Sequence, residues 1–221
     1  MLLATARFQE LKTRFHAVAA APRAGREALF PTAIGPIDVL LGGGLPCGSL
    51  VTLEGHGSAG CRSIAAALLA QATRRGLGAV IDSGELYPPA LEAAGVRLDR
   101  LLIVPAHTPS GAARAVDVLL RSRTARVVVM AAAMLRSAVW VRLANLAHKA
   151  GALLVVLVSR AAAELSAVAT VRLACCLERP VVHGTRGIWA VFSGFELRAE
   201  LRKHKRAAGG ACVSVLSSVH G

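Results

Sequence analysis

The sequence predicts an α/β domain in which helices flank a mostly parallel β-sheet, with antiparallel strands at the C-terminal edge and a separate helix at the N-terminus. Three observations carry this reading. From Leu50 onward, apolar runs of strand length alternate with helical segments. Those runs are continuous in Val, Leu and Ile, as strands buried on both faces are. After about residue 168 the pattern changes to period two, which belongs to strands with one exposed face.

In residues 1–21, Phe8, Leu11, Phe15 and Val18 recur at spacings of three and four with Arg7, Glu10, Lys12 and Arg14 between them. That is an amphipathic helix, ended by Pro22 and Gly25. Its apolar stripe either folds back on the chain's own core or docks on a partner or a neighbouring copy. The core series then reads as strand Leu50 to Leu53, helix Arg62 to Arg75, strand Ala79 to Ile81 and strand Leu101 to Val104. It continues with helix Ala112 to Leu120, strand Val127 to Ala131, helix Val139 to Ala150 and strand Leu153 to Val158. Val171, Leu173, Cys175 and Leu177 form the inward face of the next strand. Ile188 to Phe192 is another, and Phe195, Leu197, Ala199 and Leu201 alternate with Glu196, Arg198, Glu200 and Arg202 in a third. The turn signals His183-Gly184 and Arg186-Gly187 suit a hairpin. The expected organisation is a helix and linker over 1–30, a core over 31–210 and a tail over 211–221.

At 221 residues, a single large domain is the default. Twenty-six Lys and Arg against 13 acidic residues leave a net charge of +13, which favours an anionic partner such as nucleic acid. Arginine in an Ala-rich chain also arises from a GC-rich genome without selection for DNA binding. The five cysteines, Cys47, Cys61, Cys175, Cys176 and Cys212, include no CxxC pair, so a reduced cytoplasmic protein is expected and no metal site is. The first residues lack an apolar signal core, and no apolar run approaches the ~20 residues of a membrane span.

Strand Leu50 to Leu53 leads into Gly55-His56-Gly57-Ser58-Ala59-Gly60-Cys61-Arg62-Ser63 and then a helix. This is the context and glycine spacing of a phosphate loop, whose backbone N–H groups and helix N-terminus cradle phosphates. The two chemical positions of GxxxxGK[ST] are lost. Cys61 stands where a lysine reaches the β- and γ-phosphates, and Arg62 where a hydroxyl binds magnesium. A shift by one residue recovers a cation and a hydroxyl in Arg62-Ser63 but breaks the glycine spacing. The strand Val127 to Met130 runs on into Ala131-Ala132-Ala133, where an aspartate normally helps hold magnesium. Two independent losses predict no ATP hydrolysis, and no cofactor is expected.

The stretch TAIGPIDVLLGGGLPCGSLVTLEGHGSAG, residues 32–60, resembles the approach to the phosphate loop of RecA recombinases. AVIDSGELYPPALEAAGVRLDRLLIV, residues 79–104, is similar to the RecA segment with the catalytic carboxylate, and FELRAELRKHKRAAGG, residues 195–210, to its closing strand. The resemblance covers residues 32 to about 210 and implies a RecA-like core. Glu85 lies within one residue of the family's catalytic glutamate. The stretches matching the family's two DNA-binding loops, Ala131 to Ala138 and Arg160 to Ala169, are short and not glycine-rich, and Ser159-Arg160 replaces the polar sensor. A short, degenerate relative with PPALEAAGV at residues 88–96 is most similar to the ImuA family. That resemblance implies an accessory role in damage-induced translesion synthesis, with ImuB, an error-prone polymerase, RecA and DNA as partners and a cytoplasmic, nucleoid-associated location. The alternatives are a SulA-like cell-division inhibitor or a residual ATPase using Arg62-Ser63.

For DNA contact the candidates are Arg198, Arg202, Lys203, Lys205 and Arg206: either a solvated strand face or, preferred here, a phosphate-contacting stripe. Asp82 ends a strand where α/β folds place functional groups, and with no magnesium partner it is expected to cap the following turn. His56-Gly57-Ser58-Ala59-Gly60 is a poor nucleophile elbow, and His107, His148, His183 and His204 have no evident orienting partner.

Overall fold

A computed structural model describes residues 28–56, 59–131, 134–183, 191–205 and 210–218. Two short strands, β1 (Leu29–Phe30) and β2 (Leu45–Pro46), pair antiparallel around helix α1 (Gly35–Leu40). Asp38 at the start of α1 accepts hydrogen bonds from the backbone N–H groups of Thr32 (2.7 Å) and Ala33 (3.2 Å), which ties this entry segment together. The expected helix with Phe8, Leu11, Phe15 and Val18 lies outside the described residues.

The main sheet follows the anticipated alternation. Strand β3 (Leu50–Glu54) precedes helix α2 (Cys61–Arg75), then β4 (Leu77–Asp82), helix α3 (Pro88–Ala93), a 3-10 turn (Leu98–Arg100) and β5 (Leu101–Pro105). Helix α4 (Pro109–Ser122) starts with Thr108 accepting a hydrogen bond from Gly111 N–H, an N-cap that satisfies one otherwise unpaired donor. It is followed by β6 (Ala125–Ala131), helix α5 (Ser137–Ala150), β7 (Leu153–Val158) and helix α6 (Ala163–Val168). The region 160–169, read from sequence as a loop, thus contains a helical turn and a half.

Three more strands complete the sheet: β8 (Val171–His183), β9 (Val191–His204) and β10 (Cys212–Ser218). The spatial order is β10-β9-β8-β3-β7-β6-β4-β5, with β3 to β8 parallel to one another, β9 antiparallel to β8, and β10 antiparallel to β9. Two expectations need correction. Phe192 and the stretch from Phe195 belong to one continuous strand rather than two, because Gly194 at φ 157° stays extended and the pairing with β8 runs through it. Residues 212–218, expected in a tail, pair with Gly194 to Glu200 and form the sheet's edge.

Two apolar cores fill the two faces of the sheet. Val51, Leu53, Val129, Val155, Leu173 and Leu197 pack under α2 on one face. On the other, Leu50, Val128, Met130 and Val156 pack with Val116 of α4, Trp140 and Leu143 of α5 and Leu165 of α6. Strands covered on both sides explain the continuous apolar runs. On that second face β8 and β9 carry polar and charged residues, Arg172, Arg198 and Glu200 among them. Among the described residues, no helix is long and apolar enough to cross a membrane.

Candidate functional site

The phosphate-loop segment leaves β3 at Glu54 and re-enters regular structure at Cys61. Gly55 N–H donates to Val158 O (2.9 Å), which fixes the loop against the end of β7. Gly60 precedes α2 in the left-handed region at φ 80°. A β-carbon there meets the Cδ1 of Leu197 at 2.5 Å, and one on Gly55 meets Ala59 Cβ at 2.5 Å and the Cys175 carbonyl at 2.7 Å. Both glycines are therefore required by close packing, and Gly60 by its backbone as well. Gly57 and Ser58 lie outside the described residues.

The Cys61 side chain is buried in the α2-face core with Ala59, Cys175 and Leu197. Hydrogen bonding to Cys61, reinforced by burial, raises the Cys175 thiol well above its ordinary value. Arg62 projects into solvent and forms an ion pair with Glu85, each side chain about 70% exposed. The first turn of α2 is thus paired with the turn that follows β4. Ser63 is exposed beside them. Asp82 at the end of β4 accepts from the N–H groups of Gly84, Glu85 and Leu86 at 3.0–3.1 Å, the turn cap its position suggested. At the end of β6, Met130 is buried and Ala131 exposed.

A residue missed in the sequence anchors the floor of this loop. Glu54, the last residue of β3, is 3% exposed. Its carboxylate accepts two bonds from Arg172 on β8, at 2.6 and 2.9 Å, and one from Thr52 Oγ1 at 3.0 Å. Burial opposes its ionisation, but the bonds from Arg172 and Thr52 prevail and hold the carboxyl below the usual carboxylate range. The signal was a single acid closing an apolar strand. Its partner is 118 positions away, which no local pattern reveals.

Two cavities adjoin the loop. One, of about 1000 Å³, opens between α1, α2 and α3 and is lined by Ile37, Leu69, Val80, Tyr87 and Leu91, with Arg62 and Glu85 among its polar residues. The other, of about 870 Å³, lies on the loop's opposite side, where His56, Arg160, Arg198 and Arg202 converge with Glu54 and Glu200.

Of the predicted stripe, Arg198 and Arg202 do share an exposed face. They are interleaved with acids: Arg198 Nη1 lies 3.8 Å from Glu178 Oε1, and Arg202 Nη2 3.9 Å from Glu200 Oε2. Lys203 is taken up elsewhere. A bulge in the pairing of β8 with β9 sets Leu201 opposite Leu173 and Lys203 opposite Arg172, so Arg202 is the extra residue and Lys203 stays on the face of Arg198 and Glu200. The Lys203 ammonium donates to the carbonyls of Ser166 (2.7 Å) and Ala167 (3.0 Å), at the C-terminal end of α6. Lys205 is exposed, and Arg206 lies outside the described residues. Among the described residues, no group of three or more His, Cys, Asp or Glu side chains is placed to hold a metal.

The MT3502 N-terminal domain family matches residues 38–164 of this chain. Protein RecA of Nostoc punctiforme is 38% identical over 96 residues, which cover 42% of this chain and 27% of that protein. Protein RecA of Methylococcus capsulatus is 36% identical over 105 residues (46% and 30%), and Protein RecA of Thermus thermophilus 33% over 105 residues (46% and 31%). The chain thus spans less than a third of the length of these relatives. Among solved structures, that of the RadB recombinase superposes with a TM-score of 0.67 at 17% identity, over 84% of this chain and 94% of that one. At such identity the likeness shows the fold, a RecA-like α/β core.

Proposed function

The chain belongs to the MT3502 N-terminal domain family, and from that premise we propose that its RecA-like core works as a non-catalytic accessory protein in the response to DNA damage. The observation that carries the proposal is the Arg62–Glu85 ion pair: the residue at the magnesium position and the acid nearest the catalytic position neutralise each other. Magnesium-ATP needs an ammonium on its terminal phosphates, a hydroxyl and a carboxylate on the metal, and a free acid or amide to orient water. Here those positions hold a buried thiol, an arginine, an alanine and a paired glutamate. The residues do not fit that group.

What the fold keeps is a scaffold for contacts. The net charge of +13 and the similarity to RecA proteins support DNA as one ligand. The resemblance to the ImuA family supports a place in damage-induced translesion synthesis, beside ImuB, an error-prone polymerase and RecA, in the nucleoid. The test is to isolate the tagged chain from DNA-damaged and undamaged cells and identify what accompanies it. Recovery of the polymerase complex only after damage supports the proposal. Recovery of the division machinery instead, with a division block on overexpression, replaces it with a SulA-like role.

A further inference from the structure

Six of the described arginines gather at the end of the sheet opposite the phosphate loop. Strands β4, β5 and β6 are parallel neighbours and all begin there. Arg74 and Arg75 end α2 just before β4, Arg97 and Arg100 flank the 3-10 turn before β5, and Arg123 and Arg126 bracket the start of β6. Arg100 Nη1 donates to the Arg74 carbonyl at 3.0 Å. The Arg126 stem lies over Gly76, where a β-carbon meets its Cδ at 2.8 Å, and its guanidinium sits 5.8 Å above the Phe30 ring. The acid among them is Asp99, which pairs with Arg97 and Arg100. Among the described residues, no carboxylate lies within 4.0 Å of Arg74, Arg75, Arg123 or Arg126.

We propose that this arginine cluster is a DNA-binding surface that holds the phosphate backbone of a duplex. The proposal rests on the DNA-binding part of the function proposed above and gives it a location about 20 Å, one strand length, from the phosphate loop. The three strand starts span ~10 Å at the usual strand spacing, a length over which duplex DNA carries about six charges. Complementing helix dipoles accounts for cations at the ends of α2 and α4. It does not account for Arg97 or Arg126, which stand at no α-helix C-terminus. Nor does it account for the cost at Arg123, an arginine held in the left-handed region at φ 53°, where glycine or asparagine closes a helix with less strain. The exposed aromatic rings among the described residues, Tyr87 and Phe192, lie towards the other end of the sheet. Contact is therefore with backbone rather than stacked bases, and binding is sequence-independent and salt-sensitive. By contrast, every arginine on the β8–β9 face named above has a carboxylate within 4 Å.

The experiment is fluorescence anisotropy of the full chain on a labelled 30-base-pair duplex over a salt series. It compares R74E/R75E/R123E with R198E/R202E, and adds R74Q/R75Q/R123Q as the milder version, all checked for folding by circular dichroism. The expected result is a loss of at least tenfold in affinity for the first triple variant, a smaller loss for the second, and a salt slope reduced by about 3. R198E/R202E is expected to stay within twofold. If R198E/R202E loses binding and both triple variants keep it, the surface assignment is overturned while the DNA reading stands. If the unaltered chain fails to bind at low salt, both are overturned.

Discussion

Replacing Glu54 with alanine removes the carboxylate that holds β3 to β8 beneath the loop and leaves the Arg172 guanidinium, about one-fifth exposed, facing Thr52. Breaking a buried pair from one side costs roughly 3–5 kcal/mol, and the partial exposure of Arg172 puts this case near the lower bound, at about 3 kcal/mol. With a urea slope of roughly 2–3 kcal/mol/M for a domain of this size, the unfolding midpoint is expected to fall by about 1 M at pH 7. E54L/R172L, which removes both charges and fills the space, is expected to recover to within about 1 kcal/mol of the unaltered chain. The pH dependence has a definite sign. Because the folded-state carboxyl of Glu54 titrates below its unfolded value, its contribution is fully present above ~4.3 and is lost as pH falls through the lower folded value. The stability gap between the unaltered chain and Glu54→Ala therefore narrows below about pH 4. A gap under 1 kcal/mol at pH 7, or one that persists unchanged to pH 3, would refute the pairing as the element that holds the loop floor.

Two further outcomes follow from the geometry. Gly60→Ala is expected to lose about 2–3 kcal/mol in the same assay, since a β-carbon adds left-handed strain and overlaps Leu197 at 2.5 Å; a neutral effect would show that the loop yields freely. Lys203→Met is expected to cost about 1 kcal/mol through the lost bonds to the α6 carbonyls, yet to leave DNA affinity unchanged within error, and a selective loss of DNA binding would return Lys203 to the predicted stripe.

Much of the fold was legible because burial on both faces writes itself locally. Leu153–Val158 was bounded to the residue, since six consecutive apolar positions between Gly151-Ala152 and Ser159-Arg160 allow little else. Cys212–Ser218 was missed because an edge strand with serines at three of its seven positions carries a weak apolar signal. The departures from the phosphate-loop motif at Cys61 and Arg62 stand in the sequence itself, but the ion pair of Arg62 to Glu85 was not legible, being set by how α2 and the turn after β4 come together. Lys203 was read as part of the basic cluster because its charge is local, whereas its bonds to the Ser166 and Ala167 carbonyls, 37 and 36 positions away, exist only once α6 meets β9. The arginine cluster at the starts of β4, β5 and β6 is scattered over more than 50 positions of sequence and exists only once parallel strands bring it together.

The central claim is that a RecA-like core persists here without the chemistry of its phosphate loop, and magnesium-dependent ATP turnover by the purified full chain, with and without DNA, tests it most directly. The expected rate is indistinguishable from the buffer blank and unchanged in Arg62→Ala. Turnover that depends on magnesium and disappears in Arg62→Ala would contradict the account and assign Arg62-Ser63 to a working, remodelled nucleotide site.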